Sequence, residues 1–144
     1  MRKFLVVANQ TLGGTELKAE IERRIADGDC EFHVVVPVTR LEDYHGSTGG
    51  SADLYGQEDQ ARKQAHRRMM ALVGEIRDAG AKADGELGDA NPLVAVQKAI
   101  SARHYDEIVL STFPQGVSKW LKMDLPSRVE RAFDGPVKSI ISAA

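Results

Sequence analysis

The chain has 144 residues, enough for one domain that buries about two-thirds of its unfolded surface without disulfides or metals. Its 19 Lys+Arg against 21 Asp+Glu leave a formal charge of −2, which speaks against nucleic acid and anionic membranes as partners. The single cysteine, Cys30, excludes an internal disulfide. The basic start MRKFLVV runs out of apolar residues at Ala8, too early for a signal peptide or a membrane span. The expectation is a soluble cytoplasmic protein, with Cys30 a small buried hydrophobe in a reducing compartment.

The first predicted strand is Lys3–Ala8, read from FLVVA. The turn Thr11-Leu12-Gly13-Gly14-Thr15 follows and opens a helix in which Leu17, Ile21 and Ile25 repeat every four residues, with Thr15 as N-cap and Gly28 as stop. The second strand is Glu31–Val38, again near-continuously apolar, the mark of a strand covered on both faces. Thr39–Gln57 holds four glycines and no period, so it is read as a long loop, either a lid or disordered. A long helix carries the stripe Ala65, Met69, Leu72, Val73 and Ile76 and closes at Gly80.

The third strand, Ala81–Glu86, is short and polar, which suits a sheet edge. Asn91-Pro92 starts the next helix as cap and first residue, and Leu93, Val96 and Ile100 form its apolar side. The fourth strand, Glu107–Leu110, stops at Ser111 and Thr112. A loop with Pro114 and Gly116 leads to a helix starting near Pro126, with Leu125, Val129, Ala132 and Phe133 on one side. The fifth strand is Val137–Ser142. Strand–helix alternation implies right-handed crossovers and a parallel, doubly wound, Rossmann-like sheet between two helical layers. The ligand crevice of such a sheet lies at the carboxyl ends of its strands, here the loops after Ala8, Val38, Glu86 and Leu110.

Few motifs carry chemistry. His33, His66 and His104 have no partner at metal-ligand spacing. No nucleophile elbow is present, and Asp43, Tyr44 and His45 cluster only within the long loop. The Gly13-Gly14 turn resembles the pyrophosphate loop of ATP-pyrophosphatases, Ser-Gly-Gly-x-Asp-Ser. Leu12, Glu16 and Leu17 stand where that motif has Ser, Asp and Ser.

The order of elements and the carboxyl-terminal segment together resemble the universal stress protein family. The nucleotide-binding branch of that family carries Gly-x2-Gly-x9-Gly-[Ser/Thr] after the fourth strand. Here Gly116 is followed by nine residues and then Pro126-Ser127, so the second glycine and the serine fit. By counting, Phe113 takes the place of the first glycine and Pro126 that of the third. Gly88-Asp89 matches the family's Gly-Asp after the third strand, and DGPVKSII its closing strand. Asn9 stands where an acidic residue usually meets adenine.

The resemblance implies a single domain over residues 1–144. Its fold would be a three-layer α/β/α sandwich of the adenine-nucleotide α-hydrolase-like type, with strand order 3-2-1-4-5. It implies a non-enzymatic stress-response protein with a degenerate adenine-nucleotide site lined by Asn9, Val38, Gly88, Gly116, Ser118, Ser127 and Arg128. The ligand would be AMP or ATP, with or without Mg²⁺, and the partner a second copy joined through Val137–Ser142.

Physics cuts both ways at this site. Pro126 has no N–H to donate and cannot adopt positive φ, and Asp124 at the same helix start repels phosphate. Ser118, Lys119, Lys122, Ser127 and Arg128 supply hydroxyls and cations instead, unless Arg128 is paired with Asp124 four residues earlier. Two alternatives therefore stay open: a dimeric interaction module of the same fold without nucleotide, and an ATP-pyrophosphatase-like enzyme working through Gly13-Gly14.

Overall fold

The structure, a computed structural model, describes residues 1–9, 14–38, 51–112, 120 and 124–141, with residues 51–59 described as backbone alone. In chain order the elements are β1 (Arg2–Ala8), α1 (Thr15–Ala26), β2 (Cys30–Pro37), α2 (Ser51–Asp78) and β3 (Lys82–Gly88). These are followed by α3 (Pro92–Ala102), β4 (Glu107–Thr112), α4 (Leu125–Ala132) and β5 (Val137–Ile141). The strands form one five-stranded sheet in the order β3-β2-β1-β4-β5, and every neighbouring pair is parallel. The expected order and the edge position of the polar third strand are both observed.

Alternation along the strands divides the core. Phe4, Val6 and Ala8 of β1 face one way with Phe32, Val34 and Val36 of β2, and meet Leu17 and Ile21 of α1 and Ala65, Met69, Leu72, Val73 and Ile76 of α2. The Phe4 and Phe32 rings stack at 5.2 Å. Leu5, Val7 and Val35 face the other way, with Ala95, Val96 and Ala99 of α3 and Leu125 and Val129 of α4. Cys30 is buried as expected, and burial pushes its thiol up from the ordinary value. Gly28 and Gly80 do end their helices, with φ of 138° and 105°, a region that a side chain would strain.

Several expectations need correction. The long loop was expected to reach Gln57, but α2 begins at Ser51, so its last seven predicted residues are helical. Thr15 is not a cap: the cap position is Gly14, with no side-chain bond, and Thr15 is the first helical residue. Ser111 and Thr112 do not end β4. Both are buried, pair with Ile140 and Ile141 of β5, and Thr112 Oγ1 donates to the Ile140 carbonyl at 3.5 Å. β3 runs on to Gly88, and β2 stops one residue before Val38. In α3 the fully buried positions include Ala95 and Ala99, while Leu93 and Ile100 are half-buried. Ala132 of α4 is exposed.

One buried ion cluster was not anticipated. Arg24 of α1 is 5% exposed and holds both Glu107 oxygens, at 3.0 and 2.8 Å, and Glu20 at 2.6 Å. Burial works against the Arg24 charge, but the hydrogen bonds to Glu107 and Glu20 outweigh it and raise its ionisation above the ordinary arginine value. The fork geometry of guanidinium suits this two-oxygen grip, which fastens α1 to the first residue of β4. Among the described residues no helix is long and apolar enough to cross a membrane.

Candidate functional site

β1 and β4 lie side by side, yet the chain proceeds from them in opposite directions, through β2 to β3 and from β4 to β5. Their carboxyl ends are therefore the topological switch point where open α/β sheets leave a crevice. Asn9 follows β1 there, half-buried, and its backbone N–H donates to the Ser111 carbonyl at 3.3 Å. Val38 follows β2 and donates its N–H to the Gly88 carbonyl at 3.3 Å. Asn9, Val38 and Gly88 thus line up along the carboxyl ends of three adjacent strands.

Helix termini reach the same end. α3 is closed by its own cap: Asn91 Oδ1 accepts from the Leu93 N–H at 3.0 Å, and Pro92 has no N–H to leave over. Asp89 shapes the turn before it, accepting from the Asn91 N–H at 3.0 Å and facing Lys98 at 3.5 Å. α1 starts without a side-chain cap, and Glu16 in its first turn, which accepts from Thr15 Oγ1 at 3.4 Å, brings a negative charge that opposes an anion at this helix start. That disfavours the pyrophosphatase reading of the glycine pair, of which only Gly14 lies within the described residues.

α4 places Ser127 and Arg128 in its first turn. Four residues separate the last turn of α4 from the start of β5, so the opposite end of the helix, with Ser127 and Arg128, lies at the carboxyl side of the sheet. Asp124 precedes it in the left-handed region (φ 55°, ψ 46°) and makes no side-chain cap. The alternative in which Arg128 pairs with Asp124 is not observed. The Asp124 carboxylate faces Arg131 at 3.9 Å, and Arg128 touches Asp124 only through its backbone N–H at 3.1 Å. Among the described residues the exposed Arg128 side chain has no ion-pair partner.

Gly116, Ser118, Lys119 and Lys122 lie outside the described residues, as do Gly13, His45 and residues 39–50. Trp120 is half-buried against the apolar cluster of α3 and α4. Gly88 has a packing reason of its own: a Cβ there would stand 2.7 Å from Val35 Cγ1 and 3.2 Å from Ala95 Cβ. No group of three acidic, cysteine or histidine side chains among the described residues could hold a metal ion.

The order of strands and the two helical layers define a doubly wound, Rossmann-like α/β protein. No protein-family model matches this sequence, and no curated protein matches it. Solved structures do. The hypothetical protein MJ0577 aligns at 12% identity over 98% of this chain and 96% of that one, with a TM-score of 0.69. The hypothetical protein PH0823 aligns at 16% identity over 99% and 98%, with a TM-score of 0.57. A universal stress protein solved in complex with cAMP aligns at 18% identity over 97% of each chain, with a TM-score of 0.51. The chain has the universal stress protein fold.

Proposed function

We propose that this single domain, residues 1–144, is a cytoplasmic, non-catalytic protein of the universal stress type that binds an adenine nucleotide at the carboxyl ends of its strands. Asn9, Val38 and Gly88 form the base-side wall. Gly116, Ser118, Ser127 and Arg128 take the phosphate side. The observation that carries this reading is Arg128: a cation in the first turn of a helix at the crevice, without an anionic partner among the described residues. A guanidinium there supplies paired donors to phosphate in place of backbone N–H groups that Pro126 cannot offer.

A neighbour of the same fold binds cAMP, which supports a nucleotide with a single phosphate here. AMP and cAMP therefore rank above ATP, because Asp124 and the missing glycines penalise a triphosphate most. Asn9 presents both a donor and an acceptor to a base edge. No group among the named residues is placed as a general base, so hydrolysis is not part of the proposal.

The test is thermal unfolding with AMP, cAMP, ADP and ATP, each with and without Mg²⁺. Ligand at a hundred times its dissociation constant adds about 2.7 kcal/mol, a shift of several degrees at this size. Arg128→Ala should abolish the shift and leave the ligand-free melting temperature unchanged. No shift with any nucleotide would overturn the reading.

A second reading has one observation in its favour. β5 is an edge strand with Lys138, Ser139 and Ile141 exposed, the last at 53%, an open edge that a second copy could extend across a two-fold axis. In it, Val137–Ser142 makes a homodimer and no nucleotide binds. Sedimentation distinguishes it: a dimer that Ile141→Lys converts to monomer, with no nucleotide-induced shift, is its signature.

A further inference from the structure

His33 lies on β2 near the amino end of the sheet, opposite the crevice, and is only 8% exposed. The neighbouring edge strand β3 sets a carboxylate against each ring nitrogen. Nδ1 is 2.6 Å from Asp84 Oδ1, and Nε2 is 3.1 Å from Glu86 Oε1. Ionised carboxylates only accept, and a neutral imidazole donates from one nitrogen alone. Neutral His33 would therefore aim a lone pair at one of the two carboxylates. Only the imidazolium satisfies both contacts.

Other charged groups around it do not remove that demand. On β2 itself Glu31 shares the face of His33, and Lys3 of β1 faces Glu31 at 3.6 Å. From the segment before β4, Arg103 reaches Asp84 at 3.1 Å and leaves Glu86 to His33, the Tyr105 ring lies 6.4 Å away, and His104 turns to Asp106 at 3.3 Å. The titratable side chain of α3, Lys98, is turned to Asp89. A cavity of about 130 Å³, lined by Lys3, Glu31, Lys82, Asp84 and Arg103 beside His33, opens the ring to solvent protons.

We propose that His33 is a proton-operated latch: its imidazolium fastens the edge strand β3 to β2, and its deprotonation releases one of the two bonds. Histidine is the side chain best suited to a proton-operated contact, and here both of its ring nitrogens face carboxylates. Its sign is defined. The stabilisation is present where His33 is charged and is lost as pH rises through its deprotonation. On the acid side it ends where the Asp84 carboxylate, held below its ordinary range, takes up a proton. The strand it holds ends at Gly88, so opening loosens the element that carries a crevice residue.

The test is backbone amide exchange between pH 5.5 and 8.5, corrected for its intrinsic pH dependence, with β1 and β4 amides as the internal reference. β3 amides bonded to β2 should exchange at least about tenfold faster relative to that reference at the higher pH, the loss of one charge-assisted bond. Glu86→Gln should flatten the response. Its amide can donate to neutral Nε2 while Nδ1–H donates to Asp84, so neither protonation state is penalised. Nitrogen NMR of the His33 ring at pH 6 should show both nitrogens protonated. An unprotonated ring nitrogen at that pH, a β3 response absent in the wild type, or an undiminished response in Glu86→Gln would each overturn the latch. No nucleotide enters the measurement, so its outcome is independent of the reading of the crevice.

Discussion

Gly88→Ala is the substitution that separates packing from ligand recognition at the crevice. The new Cβ would stand 2.7 Å from Val35 Cγ1 and 3.2 Å from Ala95 Cβ, where carbon contacts settle at about 3.5–4.0 Å. Val35 is 1% exposed, and as a β-branched residue it has little χ1 freedom with which to retreat. Ala95 is fixed to the α3 backbone. Either Val35 leaves its rotamer or α3 lifts from the sheet, and overpacking of this kind costs about 1–3 kcal/mol. The urea midpoint should fall while the slope of the transition holds constant.

The double variant sharpens the argument. Val35→Ala removes the Cγ1 atom that the new Cβ meets, so in that background most of the Gly88→Ala cost should vanish, a coupling of roughly 1 kcal/mol or more. A Gly88→Ala protein within about 0.5 kcal/mol of the parent, or one that loses equal stability in both backgrounds, would refute the reasoning. Either result would return Gly88 to the list of glycines kept for backbone approach to a ligand.

Two further outcomes follow from the local chemistry. Asn91→Ala removes the acceptor of the Leu93 N–H and should cost about 0.5–2 kcal/mol, read as a lower urea midpoint; an unchanged midpoint would show that solvent replaces the cap. Acid should destabilise the fold through three carboxylates held below their ordinary range. For Asp84 and Glu20 burial works the other way but is outweighed, by His33 and Arg103 at Asp84 and by Arg24 and Arg23 at Glu20. For Asp106 the Lys3 N–H at 2.7 Å is the chief cause. Each contributes stability above its unfolded ionisation near pH 4 that is lost as pH falls through the lower folded value. Urea midpoints measured from pH 5 down to pH 2.5 should decline steadily, and a flat profile would contradict it.

Much of the architecture was legible because the three central strands are buried on both faces and the helices are not. FLVVA and HVVVPV cannot be amphipathic, so they read as central parallel strands, and KADGEL could only be an edge. Helix ends were legible where glycine takes positive φ, at Gly28 and Gly80, or where a cap precedes proline, at Asn91. What escaped detection depends on partners remote in sequence. Ser111 and Thr112 look like loop residues, yet pairing with β5 and burial make them strand. Arg24 interrupts an apolar face because Glu107 waits 83 residues away. His33 looked solitary because Asp84 and Glu86 reach it across a strand pairing that no local spacing encodes.

The candidate site was legible in position and less so in content, for the same reason. Open α/β topology alone puts a crevice beyond Asn9, Val38 and Gly88. The glycine motif, by contrast, reasons from residue type to ligand, and the structure weakens that step: Gly88 is already required by Val35 and Ala95. Arg128 gains weight by the opposite route. The pairing with Asp124 that would have explained it structurally is absent, and the Asp124 carboxylate faces Arg131 instead. An exposed arginine without a structural task should cost less than about 0.5 kcal/mol to remove. A variant that keeps its stability and loses nucleotide would then assign Arg128 to the ligand, which Gly88→Ala, with its packing cost, cannot do by itself.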